Sequence, residues 1–224
     1  MYPSVCPFCE TIYAKGICPS CRGKIQVVKQ PKCMKCGKPL KKAEVEYCHD
    51  CKEKVFAYDQ GASLWIHGEL VAKGIYKFKY ANRRCYGSIF AKEMAKEYEK
   101  QIQIWGIEEI IPVPLHKSRL RKRGYNQAQI LAKELGERWK LPVENHAVVR
   151  IRKTAPQKEL NKRERLENLK GAFAVSKNWK PKERVLVVDD IYTTGSTIHR
   201  IAKVLKRAGV QKVYFLTISI GQGL

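Results

Sequence analysis

Apolar and polar positions change period several times along the chain. Val185-Leu186-Val187-Val188 is an unbroken apolar run, too short for a helix and rich in β-branching, which predicts a buried, parallel strand. Asp189 and Asp190 follow, and then the small-residue stretch Thr193-Thr194-Gly195-Ser196-Thr197. Beyond it Ile198, Ile201, Ala202, Leu205 and Ala208 recur at helical spacing, with Gly209 where a helix C-terminus favours glycine. Upstream, Tyr58 to Ile66 reads as a strand. Leu70, Val71, Gly74, Ile75 and Phe78 share one helical face, and a second helix runs through Phe90, Met94 and Tyr98. Ile107 to Val113 is a strand that must stop near Pro112-Val113-Pro114, because proline is excluded from central ladder positions. Ala128, Leu131, Ala132, Leu135 and Trp139 mark another helix, and Lys212 to Ile220 a closing strand of alternating character. Residues 148–173, with Arg150, Arg152, Thr154, Gln157, Leu160, Arg165, Asn168 and Phe173, have weak periodicity. They read as a partly helical flap or as a solvated connector.

The order strand, acidic pair, small-residue loop, helix has a chemical meaning. A helix N-terminus presents free N–H groups and partial positive charge. A loop of Thr, Gly and Ser adds hydroxyl donors and lets the backbone approach a ligand, so the two together cradle a phosphate. The acids beside it suit a polyhydroxylated group, and a sugar phosphate satisfies both halves. N-capping threonines on an ordinary strand–loop–helix would account for one or two hydroxyls, but not for four plus two acids. The stretch resembles the phosphoribosyl pyrophosphate (PRPP) fingerprint of type I phosphoribosyltransferases. That resemblance gives Asp189 and Asp190 the ribose hydroxyls, and with them the catalytic centre. It gives Thr193, Thr194, Gly195, Ser196 and Thr197 the 5-phosphate. Tyr192 stands where many family members carry an aliphatic residue.

A second cationic stretch follows the strand that ends at Pro114. Five of the eight residues from Lys117 to Gly124 are basic. Read as a strand-to-helix loop, it emerges at the same carboxyl edge of an open α/β sheet, where ligands bind. The Pro112-Val113-Pro114 turn resembles the pyrophosphate loop of phosphoribosyltransferases, so Pro114 and Arg123 are expected to line the pyrophosphate. The alternatives are a solvated basic loop or a nucleic-acid contact.

Eight of the nine cysteines fall before residue 52, as the C-x-x-C pairs Cys6/Cys9, Cys18/Cys21, Cys33/Cys36 and Cys48/Cys51. Two adjacent pairs supply the four thiolates of a tetrahedral zinc site. Consecutive ribbons (Cys6, Cys9, Cys18, Cys21 for one ion; Cys33, Cys36, Cys48, Cys51 for the other) are the simplest assignment, with interleaved pairing open. His49 is read as a bystander, and Cys85 as a half-buried small residue. About fifty residues cannot build a large core, so metal is expected to fold them. The boundaries expected are a double zinc ribbon over 1–55 and the α/β domain over 56–224.

The formal charge is +23, from 44 Lys and Arg against 21 Asp and Glu. Two zinc–thiolate sites would lower it to about +19. Such a surface attracts polyanions without specifying which. No apolar run reaches membrane-spanning length and no signal-peptide pattern is visible, so a cytoplasmic protein without membrane insertion is expected.

Four C-x-x-C pairs, the Pro-Val-Pro-Leu-His turn, Arg123-Gly124-Tyr125-Asn126-Gln127, the pattern from Arg152 to Phe173 and the Asp189 to Thr197 loop occur in an order that resembles the ComF/ComFC competence proteins over nearly the whole chain. The resemblance implies an N-terminal double zinc ribbon joined to a type I phosphoribosyltransferase-like domain, an α/β fold with a mostly parallel sheet flanked by helices. It implies two structural Zn2+ ions, Mg2+ with PRPP, single-stranded DNA as a partner, and competence proteins such as the ComFA helicase. It places the protein in DNA uptake for natural transformation, leaning towards a phosphoribosyltransferase of unknown acceptor. The alternatives are a non-catalytic PRPP-binding, DNA-handling adaptor, or a transferase acting on a small amine or nucleobase outside competence.

Overall fold

A computed structural model of the chain describes residues 4–152 and 171–221. The positions Thr154, Gln157, Leu160, Arg165 and Asn168 of the expected flap lie outside the described residues.

Four strands, β1 (Gln60–Ile66), β2 (Glu109–Pro112), β5 (Arg184–Tyr192) and β6 (Lys212–Ile220), form one sheet in the order β1-β6-β5-β2, with every pairing parallel. Their carboxyl ends therefore share one edge. Val185 to Val188 are each fully buried. Leu186 and Val188 face one core, and Val185 and Val187 the other, as the two-residue side-chain period requires. The first core takes the apolar faces of α3 (Glu69–Tyr80), α4 (Tyr86–Trp105) and α6 (Gln127–Trp139). The second takes α7 (Ser196–Arg207) and the antiparallel pair β3 (Val148–Arg150) and β4 (Phe173–Val175). β6 is buried on both faces for most of its length, rather than alternating, because α4 packs on one side of it and α7 on the other. Pro112 closes the β2 ladder opposite Val188 on the outermost strand of the order, where a missing N–H is tolerated.

The cysteine-rich segment contributes two short helices, α1 (Pro19–Lys24) and α2 (His49–Glu53), and packs on both sides of this sheet. Phe8, Ile17 and Cys21 join the α3–α4 core. Val28, Cys33 and Cys36 join the α7 core. Between the two halves the chain runs along β1: Val27 bridges Trp65 antiparallel, Val28 donates to the Leu64 carbonyl (3.1 Å), and Ile66 donates to the Gln26 carbonyl (2.9 Å). The segment thus runs antiparallel along the β1 edge through a single bridge.

Candidate functional site

Asp189 and Asp190 do not follow the central strand but lie within its carboxyl-terminal half. β5 stays hydrogen-bonded to β6 as far as Tyr192, four residues beyond the apolar run. Successive strand residues face opposite sides, so the carboxyls diverge. Asp190 meets Lys79, from the last turn of α3: Nζ lies 2.7 Å from Oδ1, with side chains 15% and 12% exposed. Asp189 keeps partial surface access, yet protein crowds its carboxyl. That desolvation, reinforced by the neighbouring Asp190, pushes the Asp189 carboxyl up to about 7. Lys79, the Asp190 N–H (2.9 Å to Asp189 Oδ1) and Arg150 pull it the other way. Arg150, on β3, sits 5.5 Å from the Phe173 ring centre. Burial, with the charge of Arg119 added, lowers it to about 10, and Asp189 opposes that shift. A carboxyl poised near neutrality beside a second one is suited to accepting hydrogen bonds from hydroxyls.

The hydroxyl loop is built on Tyr192. This side chain is buried (2% exposed), stacks on Phe215 at 4.7 Å with planes 3° apart, and hydrogen-bonds through its hydroxyl to Tyr58 at 2.6 Å. Gly195, at φ +74°, caps α7, and a Cβ there would fall 2.4 Å from Tyr192 Oη. Only glycine fits both the left-handed backbone and the close approach. Ser196 is buried and shares a 2.8 Å hydrogen bond with Thr194, whereas Thr193 is exposed. The loop therefore presents backbone and hydroxyl groups at the N-terminus of a twelve-residue helix, one strand-end away from the two acids. Tyr192, the departure from the aliphatic pattern, supports the loop from below.

Pro114 belongs to the same edge, because Val113 donates to the Val188 carbonyl (2.9 Å) immediately before the acids. Asn126 Nδ2 donates to Val113 O (3.0 Å) while its Oδ1 caps α6. The cationic stretch is not a loop. Lys117–Arg123 is a short helix, α5, capped by His116 accepting from the Ser118 N–H and ended by Gly124 at φ +79°. Arg and Lys are good helix formers, and a polar cap and a left-handed glycine mark the two ends. Arg123 donates to Gln127 Oε1 and lies 4.8 Å over the Tyr80 ring, next in sequence to Lys79. Its link to the acidic pair therefore runs through the end of α3. Lys79 and Arg150 are the side chains that sequence reasoning missed. Lys79 stands outside the apolar face Leu70 to Phe78 and belongs to no motif, and Arg150 lies in a stretch of weak periodicity.

The cysteines form two sets, Cys6/Cys9/Cys18/Cys21 and Cys33/Cys36/Cys48/Cys51, with the Sγ atoms of each set within 4.8 Å of one another. This is the consecutive pairing, not the interleaved one. Cys9 to Cys18 and Cys36 to Cys48 are each 3.6 Å between sulfurs. A tetrahedron of Zn–S bonds of about 2.3 Å has edges of about 3.8 Å, so the two sets fit zinc. The knuckles are closed by Glu10 N–H to Cys6 O and Gly37 N–H to Cys33 O, both 2.9 Å. Gly37 also lies against β1, where a Cβ would come 2.8 Å from the Gly61 carbonyl. Glu10, at φ +63°, instead carries a side chain that ties its ribbon to α3: Lys77 Nζ is 2.5 Å away, and its hydrogen bond holds the carboxyl below the usual range. His49 heads α2 and is in neither set. Cys85 is exposed rather than half-buried, at the turn before α4. Among the described residues, no helix is long and apolar enough to cross a membrane.

Comparison with known proteins agrees with this geometry. The double zinc ribbon domain family matches residues 1–52, and the phosphoribosyl transferase domain family matches residues 120–219. Competence protein F of Haemophilus influenzae is 33% identical over 88% of this chain and 93% of its own length. DNA utilization protein YhgH of Escherichia coli K12 is 29% identical over 94% of both chains. Competence protein ComFC of Bacillus subtilis is 27% identical over 86% of this chain and 79% of its own. With two four-cysteine sites at its N-terminus and a parallel sheet of phosphoribosyltransferase type behind them, this chain belongs to the ComF/ComFC family of competence proteins.

Proposed function

We propose that the protein binds PRPP at the carboxyl edge of its sheet, binds single-stranded DNA, and acts in DNA uptake during natural transformation. The observation that carries the PRPP reading is that the strand holding Asp189 and Asp190 runs directly into a glycine-capped hydroxyl loop at a helix N-terminus. The ribose hydroxyls of PRPP would donate to Asp189 and Asp190. The 5-phosphate would take the N–H groups and hydroxyls of Thr193–Thr197. Lys79, now on Asp190, would have to share that carboxyl with the sugar. Mg2+ commonly binds through one or two carboxylates together with substrate phosphates. The aspartates fit that pattern when PRPP supplies the remaining oxygens, and the ion would then neutralise pyrophosphate charge.

As a transferase the protein would break the bond between C1 and pyrophosphate. Positive charge would build on the ribose, and pyrophosphate would depart with the bonding electrons towards the Pro114–Arg123 side. An acceptor nucleophile would then donate its pair to C1. A PRPP-binding adaptor without turnover is the second reading, favoured by Lys79 already satisfying Asp190. A helicase partner such as ComFA is compatible with either reading.

The test is calorimetric titration of the zinc-loaded protein with Mg2+ and PRPP, with and without single-stranded DNA, while pyrophosphate release is followed. Asp190→Asn should weaken PRPP binding at least tenfold, about 1.4 kcal/mol or more. Release stimulated by DNA would identify a transferase, and binding without release the adaptor. Unchanged affinity in the variant would reject the site.

A further inference from the structure

The described surface exposes two neighbouring aromatic rings on the helix that supplies Lys79. Tyr76 and Tyr80, four residues apart on α3, are 56% and 55% exposed, and their ring centres lie 4.9 Å apart. Side chains at that spacing stand on one helix face. Arg123 of α5 lies 4.8 Å over Tyr80, so the aromatic pair and α5 form one continuous surface. α5 has no acid and carries Lys117, Arg119, Arg121, Lys122 and Arg123. The surface borders the candidate PRPP edge, because Lys79, next in sequence to Tyr80, reaches Asp190. Large side chains left exposed beside a cationic helix fit a ligand that offers flat apolar faces along an anionic backbone. An unpaired nucleic-acid strand does so, and a duplex, with its bases stacked inside, does not.

We infer that Tyr76 and Tyr80, flanked by α5, are the platform on which bases of a single strand stack, so that the strand passes the PRPP edge rather than lying on the zinc ribbons. This rests on the proposal that the protein binds single-stranded DNA. The ribbons are basic too, but among the described residues up to Cys51 only Tyr47 is an exposed aromatic, at 39%. They attract phosphates without a paired stacking surface.

The test is fluorescence anisotropy of labelled oligo-dT with the zinc-loaded full chain at several salt concentrations, using the double variants Tyr76→Ala/Tyr80→Ala and Tyr76→Trp/Tyr80→Trp. The alanine pair should lose affinity roughly tenfold or more. The slope of affinity against salt should stay the same, because no phosphate contact is removed. The tryptophan pair should restore binding, and PRPP binding should be equal in all three proteins, which also reports that the fold is intact. Duplex DNA of the same length should bind more weakly and ignore the substitutions. Wild-type affinity in the alanine pair, no rescue by tryptophan, or an equal loss with duplex overturns the platform while leaving the DNA reading in place. No binding of oligo-dT by the wild type at any salt overturns the DNA reading itself, and the platform with it.

Discussion

Lys79→Met removes the charge that faces the acidic pair and keeps most of the apolar stem. Lys79 and Asp190 are 2.7 Å apart and mostly shielded from water. Removing one partner of a buried ion pair costs about 3–5 kcal/mol, and the residual exposure argues for the lower end, about 3 kcal/mol. At about 2.1 cal/mol/K of unfolding entropy per residue, that loss lowers the Tm of a chain of this length by about 6 °C. The deficit must depend on pH, with a definite sign. The folded Asp189 carboxyl titrates near 7, above the roughly 3.9 of a free aspartate. The folded state therefore holds a proton more tightly than the unfolded one, and stability falls as pH rises from about 4 through 7. Lys79 opposes that rise. Without it the carboxyl moves up further, and the penalty at alkaline pH grows. The Tm deficit of Lys79→Met should thus be largest near pH 8 and shrink near pH 5, where Asp189 is protonated in both proteins. Scanning fluorimetry of the zinc-loaded proteins at both pH values measures it. Adding Asp190→Asn should return at least about 1 kcal/mol through coupling of the two sites. A deficit equal at both pH values, with strict additivity in the double variant, would refute the electrostatic role and leave Lys79 a packing residue.

Two further outcomes follow from the loop and the metal sites. Gly195→Ala combines a left-handed backbone, about 1–2 kcal/mol, with a Cβ 2.4 Å from Tyr192 Oη, an oxygen held by Tyr58 and therefore slow to yield. We expect about 2–4 kcal/mol of destabilisation and loss of PRPP binding with both zinc ions retained, and wild-type titration curves would contradict this. Chelation should abolish the native unfolding transition. Binding of about 10–16 kcal/mol per structural zinc site is comparable to the roughly 5–15 kcal/mol that holds a typical domain together, and there are two such sites. Release of two zinc ions per chain with the transition intact would show the ribbons to be dispensable.

How much could be read from the sequence differed by element, for physical reasons. Val185–Val188 and the helix behind Thr197 were legible because burial on both faces and a 3.6-residue period each leave a local signature. The cysteine pairs were legible because tetrahedral thiolate coordination fixes short spacings, although only three dimensions resolved which pairs share a site. The α5 helix reads as a loop in the sequence because its one apolar residue, Leu120, gives no periodicity, and its cap and terminal glycine act through backbone geometry. Lys79 and Arg150 could not be assigned at all. Each reaches the acids from an element distant in sequence, and nothing in Lys77-Phe78-Lys79-Tyr80 says where its cations point. Tyr192 was visible as an oddity, but its purpose depends on Tyr58, 134 residues away.

The strip of chain at Gln26–Val28 has a consequence for how the molecule behaves when metal is scarce. A bare parallel edge strand is a template for pairing with another chain. Here β1 is covered by backbone slung between two four-cysteine clusters, one on each face of the sheet. Zinc limitation would loosen both moorings at once, uncover the β1 backbone groups now paired with Gln26 and Val28, and take Phe8 away from the Trp65 ring. A chain cut at residue 56 would carry the same uncovered border permanently. The cysteine-rich segment would therefore guard this border against self-association, and the phosphoribosyltransferase half would owe that cover to cysteines that lie outside it.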